Sequence, residues 1–225
     1  VLRNFIPVFL GRGVVQLSAY ADGLIASFVS DGAVTLLANA QVIAVLPVSL
    51  FGMAVSASQL PAMSGELGDD ATVSAALCTR LDEGLRRIAF YVVPSSMAFF
   101  ALGDIVGGLL YQTGHFQAQD TLWLWSVLAG AAVGLLAGTL GRLYASTWYA
   151  LRNTRVPLQF AMVRVALTVV LGVIASLHVP AWLGVDAKWG AAGLTASAGV
   201  AAWVEFTLLR RSMATRIGAP PVEGA

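Results

Sequence analysis

Long apolar stretches dominate the chain, and short polar interruptions set their boundaries. Six of them approach or exceed the ~20 mostly apolar residues that one bilayer crossing needs. They run at about 5–29, 34–63, 88–111, 121–151, 156–177 and 189–209. This pattern predicts an all-α, polytopic membrane protein built as a bundle of six transmembrane helices. Pro47 and Pro94 fall inside the second and third spans, where a missing backbone N–H predicts a kink and a candidate hinge. Pro157 instead suits the first turn of the fifth. In the fourth span Gly130, Gly134 and Gly138 form a ladder of small residues that lets a neighbouring helix approach closely.

The main polar interruption is 64–87. Within it Leu77, Leu81 and Leu85 recur at helical spacing, which predicts a cytoplasmic amphipathic connector lying at the membrane surface. The tail at 212–225 ends in Gly, Pro and Ala and is expected to be disordered.

Composition agrees with the pattern: 58% of residues are hydrophobic and 11% charged. That is about half the charged share of a soluble domain. Charge placement then orients the bundle. The six-span arrangement puts all the arginines, from Arg3 to Arg216, on one side and Lys188 on the other. Such segregation marks the arginine side, with both chain ends, as cytoplasmic. Asp31, Asp120 and Asp186 lie on the opposite face, with Trp123, Trp125, Trp182 and Trp189 as its aromatic belt. A first residue of Val1, directly before a span and without a signal peptide, is expected of a fragment or one lobe of something larger.

The chemistry the chain excludes is broad. It has one cysteine, Cys78, and two histidines, His115 and His178, so neither a disulfide nor a cysteine or histidine metal site is expected. No phosphate-binding glycine loop, nucleophile elbow or zinc-binding helix motif occurs. The expectation is a protein that is not an enzyme and that binds neither metal nor nucleic acid.

Charged residues within spans cost about 2.5–3.5 kcal/mol each on insertion scales and need a reason. Asp22 lies roughly two-thirds of the way across the first span, with Ser18 one turn before it. The pair is a candidate site for a coupling monovalent cation or proton; the plainer role is a carboxylate bonded to a neighbouring helix or hydrated near the outer interface. Arg12 and Gln16 stand at i, i+4 near the cytoplasmic end of that helix. Arg12 suits a phosphate headgroup, and it equally suits snorkelling to membrane lipids. Asn39 and Gln41, two residues apart, point in different directions, so one lines a cavity and the other packs between helices. Glu205 is expected to pair with an arginine, and Asp104 to be hydrated near the outer end of its span.

Four local patterns, in order, resemble the MurJ (MviN) family of lipid II flippases, in the multidrug/oligosaccharidyl-lipid/polysaccharide exporter superfamily. They are Gln16–Phe28, Leu46–Ser64, Leu109–Thr121 and Tyr149–Pro157. They are similar to that family's seventh helix, its eighth, the outer loop after its ninth, and the loop between its tenth and eleventh. The resemblance implies the C-terminal lobe of a two-lobed flippase in a bacterial inner membrane. Such a lobe moves a lipid-linked cell-wall precursor by alternating access, without a cofactor, and its partner is the missing N-terminal lobe. One departure stands out. Where family members commonly carry an Asp-Arg pair facing the cavity, this chain has Gln41 and Val42. That departure leaves open export of another lipid-linked oligosaccharide or a drug, or a non-transporting scaffold or degenerate lobe.

Overall fold

The computed structural model describes residues 18–53, 70–112, 116–151 and 153–217, and every regular element among them is helical. We label the helices in chain order. α1 covers 18–29, and α2 covers Ala33–Pro47 and continues as a π-helical turn, Val48–Met53. α3 is Asp70–Tyr111 and α4 is Ala118–Ala150. α5 is Arg155–Val173, prolonged through a π-helical turn, Ile174–His178, to Val179–Leu183. A 3-10 turn, Ala187–Trp189, leads into α6, Gly190–Ile217.

Five of these helices are long and apolar enough to cross a membrane. α1 is the described end of the first predicted span; Arg12 and Gln16 lie outside the described residues. α1 already has two faces. Tyr20, Leu24 and Phe28 are exposed at i, i+4, i+8, while Ile25, Ala26 and Val29 are buried on the other side.

α4 is the centre of the bundle. In its span 67% of residues are buried, against 17% in that of α5 and 22% in that of α3. α3 and α6 flank α4, and α5 packs on α6. The outer helices turn Phe90, Met97, Leu109 and Val170 outward, as helices bathed in lipid do.

The α4–α6 contact follows from small residues. A side chain at Gly130 would collide with Thr195 and the Ala192 carbonyl, and Gly134 and Gly199 meet backbone to backbone. This closeness lets α6 donate to α4 carbonyls: Thr195 Oγ1 to Val127 O at 2.9 Å, and Trp203 Nε1 to Val133 O at 2.8 Å. The expected ladder is thus real at its first two rungs. At the third, Gly138, no atom stands within 4 Å of where a Cβ would be.

Two boundaries differ from expectation. The helix does not break between the polar connector and the third span, and 70–111 form one continuous helix. Leu81 is buried and Leu85 packs on the core, while Gly84 faces Leu143 of α4. The leucine stripe therefore meets protein along this stretch. At the other end α6 runs on to Ile217, so 212–217 are helical where a disordered tail was expected. The reason is local: Leu209 and Met213 are buried at i, i+4 and extend the packed face past the apolar span.

The prolines act differently. α2 gives way to π-helix directly after Pro47. Pro94 sits within uninterrupted α3, where Ser95 and Ser96 hydroxyls donate to the carbonyls of Tyr91 and Val92 at 2.9 and 3.0 Å. Back-bonding hydroxyls of this kind often bend helices.

Candidate functional site

Beside the helix faces that pack α4 against α6 lies a cleft of about 370 Å³. Five helices line it. α4 contributes Gly134, Gly138 and Arg142 at i, i+4, i+8, one stripe of a helix. α6 adds Thr195, Gly199 and Glu205, α5 adds Ala161 and Arg164, and α2 adds Gln41. α1 contributes Ser18 and Asp22 from the face opposite its exposed aromatic and aliphatic stripe.

Four charged groups thus share a cavity inside an apolar bundle. Arg164 Nη1 and Glu205 Oε2 are 3.0 Å apart, a part-buried pair between α5 and α6. Arg142 makes no ion pair or side-chain hydrogen bond among the described residues, and its charge is felt by both Arg164 and Glu205. Among the described residues Asp22 Oδ1 is buried without a hydrogen-bond partner, and Arg164 is near enough for the two charges to interact.

The predicted residues fall out as follows. Ser18, Asp22 and Gln41 come together at the cleft. Asn39 is half-buried and lies off it, so the two α2 amides do diverge as their spacing requires. Val42 is exposed at 59% and is likewise not on the cleft. Glu205 has found the arginine partner expected for it. Asp104 lines a separate open groove with Gln112 and Thr121 at the end of α3.

Sequence reasoning missed Arg142 and Arg164 as cavity residues, placing both with the cytoplasmic arginines. They stand eight or nine residues into α4 and α5 from the connection between them, about 12–14 Å along each helix. A signal did exist: Arg142 continues the glycine ladder by one more step of four. The loop side chain Asn153 serves the backbone instead, its Oδ1 accepting from Arg155 N and Val156 N at the start of α5.

The opposite end of the bundle gathers Lys188 and several tryptophans. Lys188 Nζ sits 3.7 Å from the Trp123 ring centroid, and Trp125 Nε1 donates to Phe100 O at 3.0 Å. Trp182 is exposed and His178 stacks edge-on against it.

Comparison with known proteins bears on what such a cleft serves. The family model described as lipid II flippase MurJ matches residues 1–224. A probable lipid II flippase MurJ from Vibrio cholerae is 26% identical over 92% of this chain and 37% of its own length. The lipid II flippase MurJ of Burkholderia cenocepacia is 29% identical over 93% of the chain and 38% of its own length. A solved lipid II flippase MurJ in an inward closed conformation superposes with a TM-score of 0.80 at 23% identity, over 92% of this chain and 41% of that one. The chain therefore spans about two fifths of the length of the proteins it matches. Across nearly all of its residues, this chain belongs to the lipid II flippase MurJ family.

Proposed function

We propose that this chain is one lobe of a transporter that flips lipid II, an undecaprenyl-pyrophosphate-linked peptidoglycan precursor, across the bacterial inner membrane by alternating access. The observation that carries the reading is the charged cleft enclosed by apolar helices in a chain of this family. A cavity with a guanidinium that makes no ion pair suits a pyrophosphate, because guanidinium groups match phosphate oxygens in geometry and charge. Arg142 is that group among the described residues. The lipid tail stays in the bilayer while the headgroup crosses through the cavity. No bond is made or broken, so the work is transport and not catalysis.

The remaining three fifths of a relative's length supply the second lobe, and the two lobes rock about the cavity, the general pattern of transporters built from paired halves. Arg12 and Gln16 are candidate headgroup contacts from the sequence, Gln41 lines the cleft from α2, and Asn39 supports α2. Pro47 and Pro94 are the hinges at which α2 and α3 bend. Asp22, with Ser18 a turn before it, is the coupling position for a proton or a monovalent cation. Both ends of the segment face the cytoplasm.

A second reading keeps this mechanism and changes the cargo to another lipid-linked oligosaccharide or a drug. It is favoured by Gln41 and Val42, which bring no charge from α2 to the cleft. Complementation decides: the full-length gene is expressed in a bacterium depleted of its own lipid II flippase. Rescue of growth supports lipid II. Membrane expression without rescue sinks that cargo, and transport of no other lipid-linked oligosaccharide in vesicles leaves a scaffold.

A further inference from the structure

Asp22, Arg164 and Glu205 come from three different helices and line the same cleft. Two carboxylates lining one intramembrane cavity, with the Ser18 hydroxyl one turn from Asp22, are oxygen donors of the kind a monovalent metal ion takes. Yet the place is not free for one. Arg164 already pairs with Glu205 at 3.0 Å, and its charge acts on Asp22, whose Oδ1 has no hydrogen-bond partner among the described residues. Arg142 adds a second positive charge on the same lining. A guanidinium keeps its proton in proteins. A metal cation entering here would meet two permanent positive charges in a medium of low dielectric, where repulsion is strong. The donor set therefore does not fit a metal ion while Arg164 is present.

We propose that Arg164 is a tethered cation filling the site that Asp22 and Glu205 would otherwise offer a dissociable metal ion. The side chain contributes what a bound monovalent ion would: one positive charge that pairs with Glu205, ties α5 to α6 and acts electrostatically on Asp22 of α1. This narrows the coupling position described above, since a proton on Asp22 remains available and a bound sodium or potassium does not. It rests on the transport reading only for its meaning in coupling; its geometry and its test do not involve the cargo.

The test is ion binding by the purified full-length protein in detergent, read as Tm with sodium or potassium replacing choline at constant ionic strength. The native protein is expected to be indifferent to the exchange. Arg164→Gln opens the site and gains a saturable rise in Tm with sodium or potassium. Adding Asp22→Asn to that variant abolishes the rise. Arg164→Lys keeps a tethered charge and stays indifferent. A native protein stabilised saturably by sodium or potassium, with the effect lost in Asp22→Asn, overturns the proposal. So does a folded Arg164→Gln protein with no response to either ion. If Arg164→Gln does not fold, Arg164→Lys and the native protein still decide: ion-dependent stabilisation of either overturns it, and indifference of both supports it. Failure of lipid II complementation leaves every one of these outcomes intact, so the two readings fail separately.

Discussion

At the residue scale, the cleft divides its charges into a pair that holds helices together and a guanidinium that faces the cavity. Arg164 and Glu205 are the pair, and Arg142 is the cavity cation. Arg142→Gln is expected to abolish rescue of a flippase-depleted strain while leaving membrane expression unchanged, and Arg142→Lys to retain part of it, since charge without the planar fork still attracts phosphate. Full rescue by Arg142→Gln would remove Arg142 from the transport path. Asp22→Asn is expected to abolish the proton dependence of transport measured in vesicles; unchanged dependence rules out Asp22 as the coupling group. Much of this was legible one residue at a time: the cost of a carboxylate in a span singles out Asp22, and Glu205 asks for an arginine by the same reasoning. What stayed hidden was depth. The arginine count reads Arg142 and Arg164 as cytoplasmic-side charges because sequence fixes which end of a helix is near, not which side chain turns inward to a cavity. Only the packing of α5 on α6 reveals that Arg164 meets Glu205, a residue 41 positions away.

At the element scale, the α4–α6 interface decides the shape of the cleft. Gly134 and Gly199 touch through backbone, so a large side chain at either position must push the helices apart. Gly134→Leu is expected to destabilise the protein by about 1–3 kcal/mol, the usual cost of overpacking, seen as a lower unfolding midpoint in detergent. Trp203→Phe keeps the ring contact with Phe206 but loses the bond to Val133 O. Its expected cost is smaller, about 0.6 kcal/mol, the average for interhelical hydrogen bonds in membranes. A Gly134→Leu protein as stable as the native one would mean that α6 does not need this approach. Apolar periodicity made the helices themselves legible, and the glycine ladder announced a close neighbour. It did not say which neighbour. The ends of helices were less legible, because packing beyond the apolar span keeps α3 and α6 going where hydropathy falls. Leu81 and Met213 are buried against protein, and that burial is a tertiary fact.

At the scale of the whole molecule, the helices present two chemically different ends. One gathers Trp123, Trp182, Trp189 and Lys188; the other ends α6 in Arg210, Arg211 and Arg216. With Cys78 replaced by serine, a cysteine at Asp186 is expected to react with a membrane-impermeant maleimide in spheroplasts, and one at Arg211 only after permeabilisation. Equal labelling of both would refute the proposed orientation. The bundle architecture and its polarity follow from apolar length and arginine placement, which are set by the bilayer itself. The cleft, by contrast, depends on where small residues stop touching. Gly134 is sealed against its neighbour, while one turn later the Cβ direction of Gly138 points into open space. That contrast makes position 138 a natural vantage point. A cysteine placed there meets no neighbouring atom within 4 Å of its Cβ and offers a thiol at the cleft for a fluorophore or spin label. Its signal then reports, turnover by turn, when the cavity is wet, when it is full and when it has closed.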